Sequence, residues 1–359
     1  MSPQIYFFHR RVVEFVKDIV HIHIKKGDQG MKKFINAVDQ VEDEMVHGMV
    51  KAYPQYLKKL GCGNVLVRAE KKTDKVALIS GGGSGHEPAH GGYVGKGMLD
   101  AAVAGAVFTS PTPDQVYEGI KAVATDAGVL MVIKNYTGDV MNFEMAGEMA
   151  EADGIKVAQV IVSDDVAVDG STWTVGRRGV AGTVFVHKIA GAKAETGATL
   201  EEVQAVAQKV CDHVRTMGVA IGPCIVPAAG TPGFELGEDE MEVGIGIHGE
   251  PGVRKEKMKP INEIVDELLD KILADLDYAG KEVAVMINSA GGTPLMELFV
   301  IHNHVADVLA GKEIKIYKTF VGEYMTSIEM QGFSVSLLCL DEELKELLDA
   351  KADTPAWKA

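Results

Sequence analysis

The stretch Val76–His90, VALISGGGSGHEPAH, decides how the rest of the chain is read. Val76-Ala77-Leu78-Ile79 is an apolar run of β character that breaks at once into Gly81-Gly82-Gly83-Ser84-Gly85. This predicts a buried strand ending in a glycine-rich loop. Glycine admits positive φ and lets backbone approach a ligand closely, and His86 and Glu87 stand where such loops present chemistry. In an α/β protein, ligands bind at the carboxyl ends of the strands. A phosphate cradle is disfavoured, because no Gly-Lys-Ser/Thr follows and no Gly-x-Gly-x-x-Gly is carried into a helix. His86-Glu87-Pro88-Ala89-His90 satisfies the zinc-protease pattern, but that chemistry needs a helix through both histidines. Pro88 and the following Gly91-Gly92 oppose such a helix, so no metal is expected here. A loop that binds a small polar substrate, with His86 as acid or base, is the surviving reading.

Outward from this loop the composition fits a globular α/β chain. The 359 residues suffice for two domains, with 47% apolar content and 40 glycines for tight loops. A formal net charge of -15 makes nucleic acid an unsuitable partner, and no apolar run has the length of a membrane span. Cys62, Cys211, Cys224 and Cys339 lack Cys-x-x-Cys spacing, which reads as reduced thiols of a cytoplasmic protein. Residues 1–30 differ in character: His9-Arg10-Arg11, Glu14 and Lys17-Asp18 interrupt the apolar run, so they form no secretory signal. Lys25-Lys26-Gly27-Asp28 can be encoded by a purine-rich ribosome-binding site, so translation is expected to start at Met31.

Strand and helix patterns then alternate, as in α/β folds. Met31 to about Leu60 carries helical periodicity, and Gly92–Val103 reads as a small-residue segment of helical character. Thr109–Asp114, TSPTPD, is a turn that starts a helix and can face the site. Gly128–Ile133 is a second buried strand delivering Lys134-Asn135-Tyr136-Thr137-Gly138-Asp139, with a helix from about Asn142. Gly176-Arg177-Arg178-Gly179 suits an anion or, equally, a structural or subunit contact. Helices are expected near Thr183–Glu195 and Leu200–Met217, then strands at Val219–Val226 and Met241–Ile247, the latter delivering His248-Gly249-Glu250-Pro251-Gly252. His-Gly-Glu-Pro here repeats the His-Glu-Pro of the first loop. The result is an α/β fold of two domains, each a mixed β-sheet flanked by helices. Residues 31–214 form the first and 215–359 the second, and the C-terminal tail is expected to pack back on the first.

GGGSGHEPAHGGYVGKGMLDAA, FTSPTPDQV, IKNYTGD, GRRGVAGTV and GIGIHGEPG occur in that order, and together they resemble the dihydroxyacetone-binding kinase subunits of bacteria. The resemblance runs from about Met31 to the C-terminus. It implies one dihydroxyacetone pocket in which His248 adds through a ring nitrogen to the substrate carbonyl, giving a covalent hemiaminal. A neutral imidazole is a nucleophile that a ketone accepts and glycerol cannot. Gly83, Ser84, Gly85, His86, Lys134 and Asp139 are implied as substrate contacts. His86 and Asp139 are the candidates to receive the proton of the attacking hydroxyl or to serve the hemiaminal oxygen, and Lys134 is expected to hold a substrate oxygen. His90 is expected behind His86 as its partner. The resemblance further implies that no nucleotide binds this chain. ADP/ATP with magnesium is expected on a partner subunit that is recharged by a protein of the phosphoenolpyruvate-dependent phosphotransferase system. It also implies a homodimer, and dihydroxyacetone phosphate as product. Relatives that sense dihydroxyacetone for a transcriptional regulator give the alternative, and related short ketoses remain open as substrates.

Overall fold

The computed structural model describes residues 32–168 and 176–358. The extension 1–30 and the proposed start at Met31 lie outside the described residues. Two six-stranded mixed sheets carry the fold. The first runs in the order β1-β2-β4-β3-β5-β6, from β1 (Leu57–Lys59), β2 (Val65–Arg68), β3 (Ala77–Ser84), β4 (Ala101–Val107), β5 (Val129–Lys134) and β6 (Val157–Val162). β3 lies parallel to both β4 and β5, so their carboxyl ends share one edge. The second runs β11-β10-β12-β7-β8-β9, from β7 (Val214–Ala220), β8 (Glu240–Val243), β9 (Arg254–Lys257), β10 (Glu282–Ser289), β11 (Lys315–Gly322) and β12 (Gly332–Leu340). The helices are α1 (Val41–Ala52), α2 (Pro113–Val123), α3 (Thr137–Ala152), α4 (Thr183–Glu195), α5 (Leu200–His213), α6 (Ile261–Asp275), α7 (Leu295–Gly311) and α8 (Glu342–Asp349).

Strand periodicity sorts the apolar side chains into layers. In the first sheet Ala77, Ile79, Val129, Met131 and Ile133 pack with Val116 and Ile120 of α2 and Phe143 of α3. Leu78, Leu130 and Val132 point the other way, onto α4 and α5. The same cluster includes Ala284 and Met286 of β10 and Leu338 of β12, so α4 and α5 lie between the two sheets. Val283, Val285 and Ile287 turn outward onto α6 and α7. Central strands buried on both faces are why β5 reads as a continuous apolar run.

Several sequence expectations are corrected. The helix expected over Met31–Leu60 is confined to α1, because Pro54 cannot continue it and disfavours helical Tyr53 before it. Gly92–Val103 is not helical beyond a single turn at Gly91–Tyr93, and its end enters β4. Its small residues serve the tail instead: a Cβ on Gly95 would lie 2.5 Å from the Asp353 carbonyl oxygen, and one on Gly97 2.6 Å from that of Lys351. The tail does pack back on the first half, with the Ala356 N–H donating to the Gly92 carbonyl at 2.9 Å. α5 ends at His213, and Val214–Met217 open β7, not a last helical turn. α3 begins at Thr137, not Asn142, which places Asp139 in its first turn. Among the described residues no helix is long and apolar enough to cross a membrane.

Candidate functional site

Loops from the ends of β3, β4 and β5 meet two loops of the second half, after β8 and between β11 and β12. β3 delivers His86, which is fully buried. Its Nδ1 lies 2.8 Å from the Thr326 carbonyl oxygen. A carbonyl only accepts, so Nδ1 carries the proton and Nε2 presents a lone pair, which has no hydrogen-bond partner among the described residues. Burial, then the neighbouring Lys134 and His248, hold His86 well below the usual histidine range, so it stays neutral. The loop between β11 and β12 grips this segment by backbone as well. Thr326 N–H donates to the His86 carbonyl at 3.2 Å, and Ile328 N–H to that of Gly85 at 2.7 Å.

His248 faces His86, with ring centroids 4.8 Å apart at 66°. Its Nδ1–H donates to Glu250 Oε1 at 2.9 Å, and its backbone N–H to Glu250 Oε2 at 3.0 Å. The carboxylate fixes the tautomer and leaves Nε2 as the free nitrogen. Burial would raise the Glu250 carboxyl, but the neighbouring His248 ring with its hydrogen bond, and the Arg178 guanidinium, overcome it and bring it down to about 2. The repeated His-Glu-Pro device therefore has a physical content: in the first loop Glu87 likewise accepts a backbone N–H two residues back, from Gly85 at 3.1 Å. Gly246 is glycine for the same reason, since a Cβ there would stand 2.0 Å from Glu250 Oε2.

Lys134 ends β5, is fully buried, and its Nζ has no hydrogen-bond partner among the described residues. Burial lowers its ammonium, while Asp139 and Glu250 oppose that shift. A Cβ on Gly82 would lie 3.0 Å from Lys134 Nζ and 3.4 Å from Asp139 Oδ2, so both groups converge over this bare backbone. Asp139 is buried in the first turn of α3, where a carboxylate meets the positive end of the helix, and Ser110 Oγ–H donates to its Oδ1. The 109–114 turn thus reaches the site through Ser110.

His86, His248, Lys134 and Asp139 are therefore assembled in one place. Ser84 is buried beside them, but its hydroxyl donates to the Gly105 carbonyl at 2.7 Å. Gly83 and Gly85 make room for Phe108 and Thr109: a Cβ on Gly83 would meet Thr109 N at 2.5 Å, and one on Gly85 Phe108 Cε1 at 2.8 Å. His90 does not back His86. Its Nδ1 lies 2.9 Å from His187 Nε2, and both rings are buried. Residues 87–90 form a turn, so the helical frame of the zinc pattern is absent. Arg178 is buried, with Nε 2.7 Å from Asp165 Oδ2 and Nη2 donating to the Gly244 carbonyl at 2.7 Å, and Arg177 Nη1 lies 2.7 Å from Asp275 Oδ2. The arginine pair therefore joins the two halves. Sequence reasoning missed Glu250, Phe108, Tyr136 and Thr326. The first three stand inside GIGIHGEPG, FTSPTPDQV and IKNYTGD, whereas Thr326 acts through its backbone and leaves no residue signal.

The Dak1 domain signature matches residues 47–356. A protein of Listeria innocua named PTS-dependent dihydroxyacetone kinase 1, dihydroxyacetone-binding subunit, is 55% identical over 329 residues, covering 91% of this chain and 100% of that protein. The crystal structure of the dihydroxyacetone kinase of C. freundii is similar at a TM-score of 0.86 and 36% identity, over 91% of this chain and 60% of that one. A dihydroxyacetone kinase operon co-activator is similar at a TM-score of 0.84 and 36% identity, over 90% of this chain and 99% of its own.

Proposed function

The chain belongs to the Dak1 domain family, and from that premise we propose that it is the substrate-binding subunit of a dihydroxyacetone kinase, holding dihydroxyacetone as a hemiaminal on His248. The observation that carries this reading is the opposed pair of imidazoles. His248 and His86 stand 4.8 Å apart, each with Nδ1–H engaged and Nε2 left free. The His248 Nε2 lone pair adds to the carbonyl carbon of dihydroxyacetone as the π pair moves onto oxygen. Glu250 steadies the imidazolium so formed; the ring then loses its Nδ1 proton to solvent and the oxygen takes one from solvent, so ring and adduct end neutral and the addition balances. Lys134 is the buried cation that steadies the oxygen as its charge develops. Glycerol has the same terminal hydroxyls and no carbonyl, so it forms no adduct.

The captured ketone then offers a terminal hydroxyl for phosphoryl transfer. His86 Nε2 is a neutral acceptor for its proton, and Asp139, held by Ser110, orients the hydroxyl. In this proposal the phosphoryl comes from ADP/ATP with magnesium on a partner subunit, recharged by the phosphoenolpyruvate-dependent phosphotransferase system. The product is dihydroxyacetone phosphate, and the subunit works in the cytoplasm as a homodimer.

Native mass spectra with dihydroxyacetone and with glycerol, beside His248→Ala, test the capture. An adduct with dihydroxyacetone alone, lost in the variant, is expected; its absence from the unaltered chain overturns the reading. The likeness to the co-activator supports a second reading, a sensor that binds dihydroxyacetone without catalysis. Reconstitution with the partner subunits and phosphoenolpyruvate separates the two, since a sensor makes no dihydroxyacetone phosphate.

A further inference from the structure

Three non-glycine residues among those described adopt positive φ: Phe108 at 56°, Glu313 at 57° and Ile328 at 55°. Glu313 follows the end of α7, whereas the other two both border Gly85. A Cβ on Gly85 would lie 2.8 Å from Phe108 Cε1 and 3.1 Å from Ile328 Cγ1. A left-handed backbone is unusual for a bulky aromatic and more so for a β-branched side chain, and such residues persist where their surroundings over-determine them. Here the surroundings are explicit. Phe108 N–H donates to the Ser84 carbonyl at 3.0 Å, and Gly83 leaves space beneath its backbone, with a Cβ there only 2.7 Å from Phe108 Cα. The ring that this conformation projects lies flat on His86, with centroids 5.1 Å apart at 15°. It meets His248 edge-on, at 5.2 Å and 72°. Tyr136 contacts His248 from another side, at 4.5 Å, so the nucleophile is boxed by aromatic walls, and Phe108 is the wall shared with His86.

We propose that Phe108 is a positioning residue, whose ring sets the angle and separation of the His86 and His248 imidazoles and keeps water from both. The inference rests on the reading of His248 as nucleophile and His86 as proton acceptor. A flat apolar ring cannot hydrogen-bond either imidazole, so it constrains their orientation without competing for Nε2. It also explains two glycines of the first loop that a substrate contact alone does not demand. Gly83 and Gly85 are bare because the chain of Phe108 passes over them.

The test uses the full chain and its Phe108→Leu, Phe108→Met and Phe108→Tyr variants, each checked for thermal unfolding. Adduct formation is titrated with dihydroxyacetone by native mass spectrometry, and the histidines are followed by nitrogen-15 NMR against pH. Leu and Met fill the space without a plane. They are expected to raise half-saturation about ten- to a hundredfold, the scale on which small misplacements act. By covering the ring less completely they should also relieve the burial that depresses His86 and let it titrate nearer the ordinary histidine range, while Lys134, His248, His90 and the Thr326 carbonyl, which face it, stay in place. Phe108→Tyr keeps the stack and should restore both readouts. A purely packing role would lower the melting temperature and leave the His86 titration in place. Unaltered capture and titration in a folded Leu or Met variant overturns the role of Phe108 alone. Absence of an adduct in the unaltered chain overturns the reading beneath it as well.

Discussion

Glu250 keeps its negative charge although burial opposes it, because the imidazole of His248 and the guanidinium of Arg178 lie beside it. That charge has a cost and a use, and both are measurable. A carboxylate whose folded pKa is depressed adds stability that is complete above its unfolded value and is lost as the pH falls through the folded one. For Glu250 the window runs from 4.5 down to about 2. Glu250→Gln should therefore flatten the acid loss of stability in that window, as read by denaturant unfolding at stepped pH. The amide oxygen can still accept from Nδ1–H, so the ring keeps its tautomer. What goes is the charge that takes up the developing imidazolium. Capture of dihydroxyacetone should then weaken on the order of a hundredfold in a native-mass titration. Equal capture by the two proteins would mean that Glu250 only orients the ring.

At the scale of elements, glycines show where side chains must pass. Gly246, just after β8, carries no functional group of its own, yet it bounds the space that Glu250 occupies. A Cβ there would stand 2.0 Å from Glu250 Oε2 and 2.8 Å from Arg178 Nη1. Gly246→Ala should displace the carboxylate, lower capture at least as far as Glu250→Gln, and cost ~1–3 kcal/mol of stability for overpacking. Gly48, inside α1, has nothing within 4 Å of its Cβ position, so Gly48→Ala should stabilise the chain by about 1 kcal/mol and leave capture alone. Denaturant unfolding of both variants checks the pair. The same contrast explains what the sequence made legible. β3 and β5 were readable because an apolar run followed by glycine or a charged residue has one structural meaning, and their polar ends do share an edge. The small-residue run after Gly92 was misread because its glycines answer to carbonyls of residues 351 and 353, far along the chain. Phe108 opens FTSPTPDQV, yet only its positive φ and its ring contacts disclose what it does. The carbonyl of Thr326, which sets the His86 tautomer, could come from any residue, so no pattern could have marked it.

For the whole molecule, the decisive feature is the layer of helices between the sheets. Eleven residues of α4 are buried, and the cluster they belong to draws on β5, β10 and β12 alike. Severing the chain after His213 should therefore leave residues 32–213 unable to fold alone, with the α4 and α5 faces that meet the second sheet exposed; circular dichroism and proteolysis of that fragment check this. The same layer governs acid stability. His86, His90 and His187 are all buried, and burial together with Lys134 depresses all three, His187 to about 3. A histidine depressed in the fold gives its full stability above the unfolded value of 6.5 and surrenders it as the pH falls, because the unfolded chain binds a proton that the core refuses. Asp165, pushed up to about 6 by burial against the pull of Arg178, acts in the opposite sense below that pH, so the net slope is smaller than three histidines would give. A difference isolates one of them. His187→Gln cannot titrate, so the stability gap between it and the unaltered chain should narrow by about 1.4 kcal/mol for each pH unit below 6.5. Urea unfolding at a series of pH values measures that gap. If it stays constant, His187 takes up its proton in the folded chain, and the layer between the sheets admits charge and water that this packing excludes.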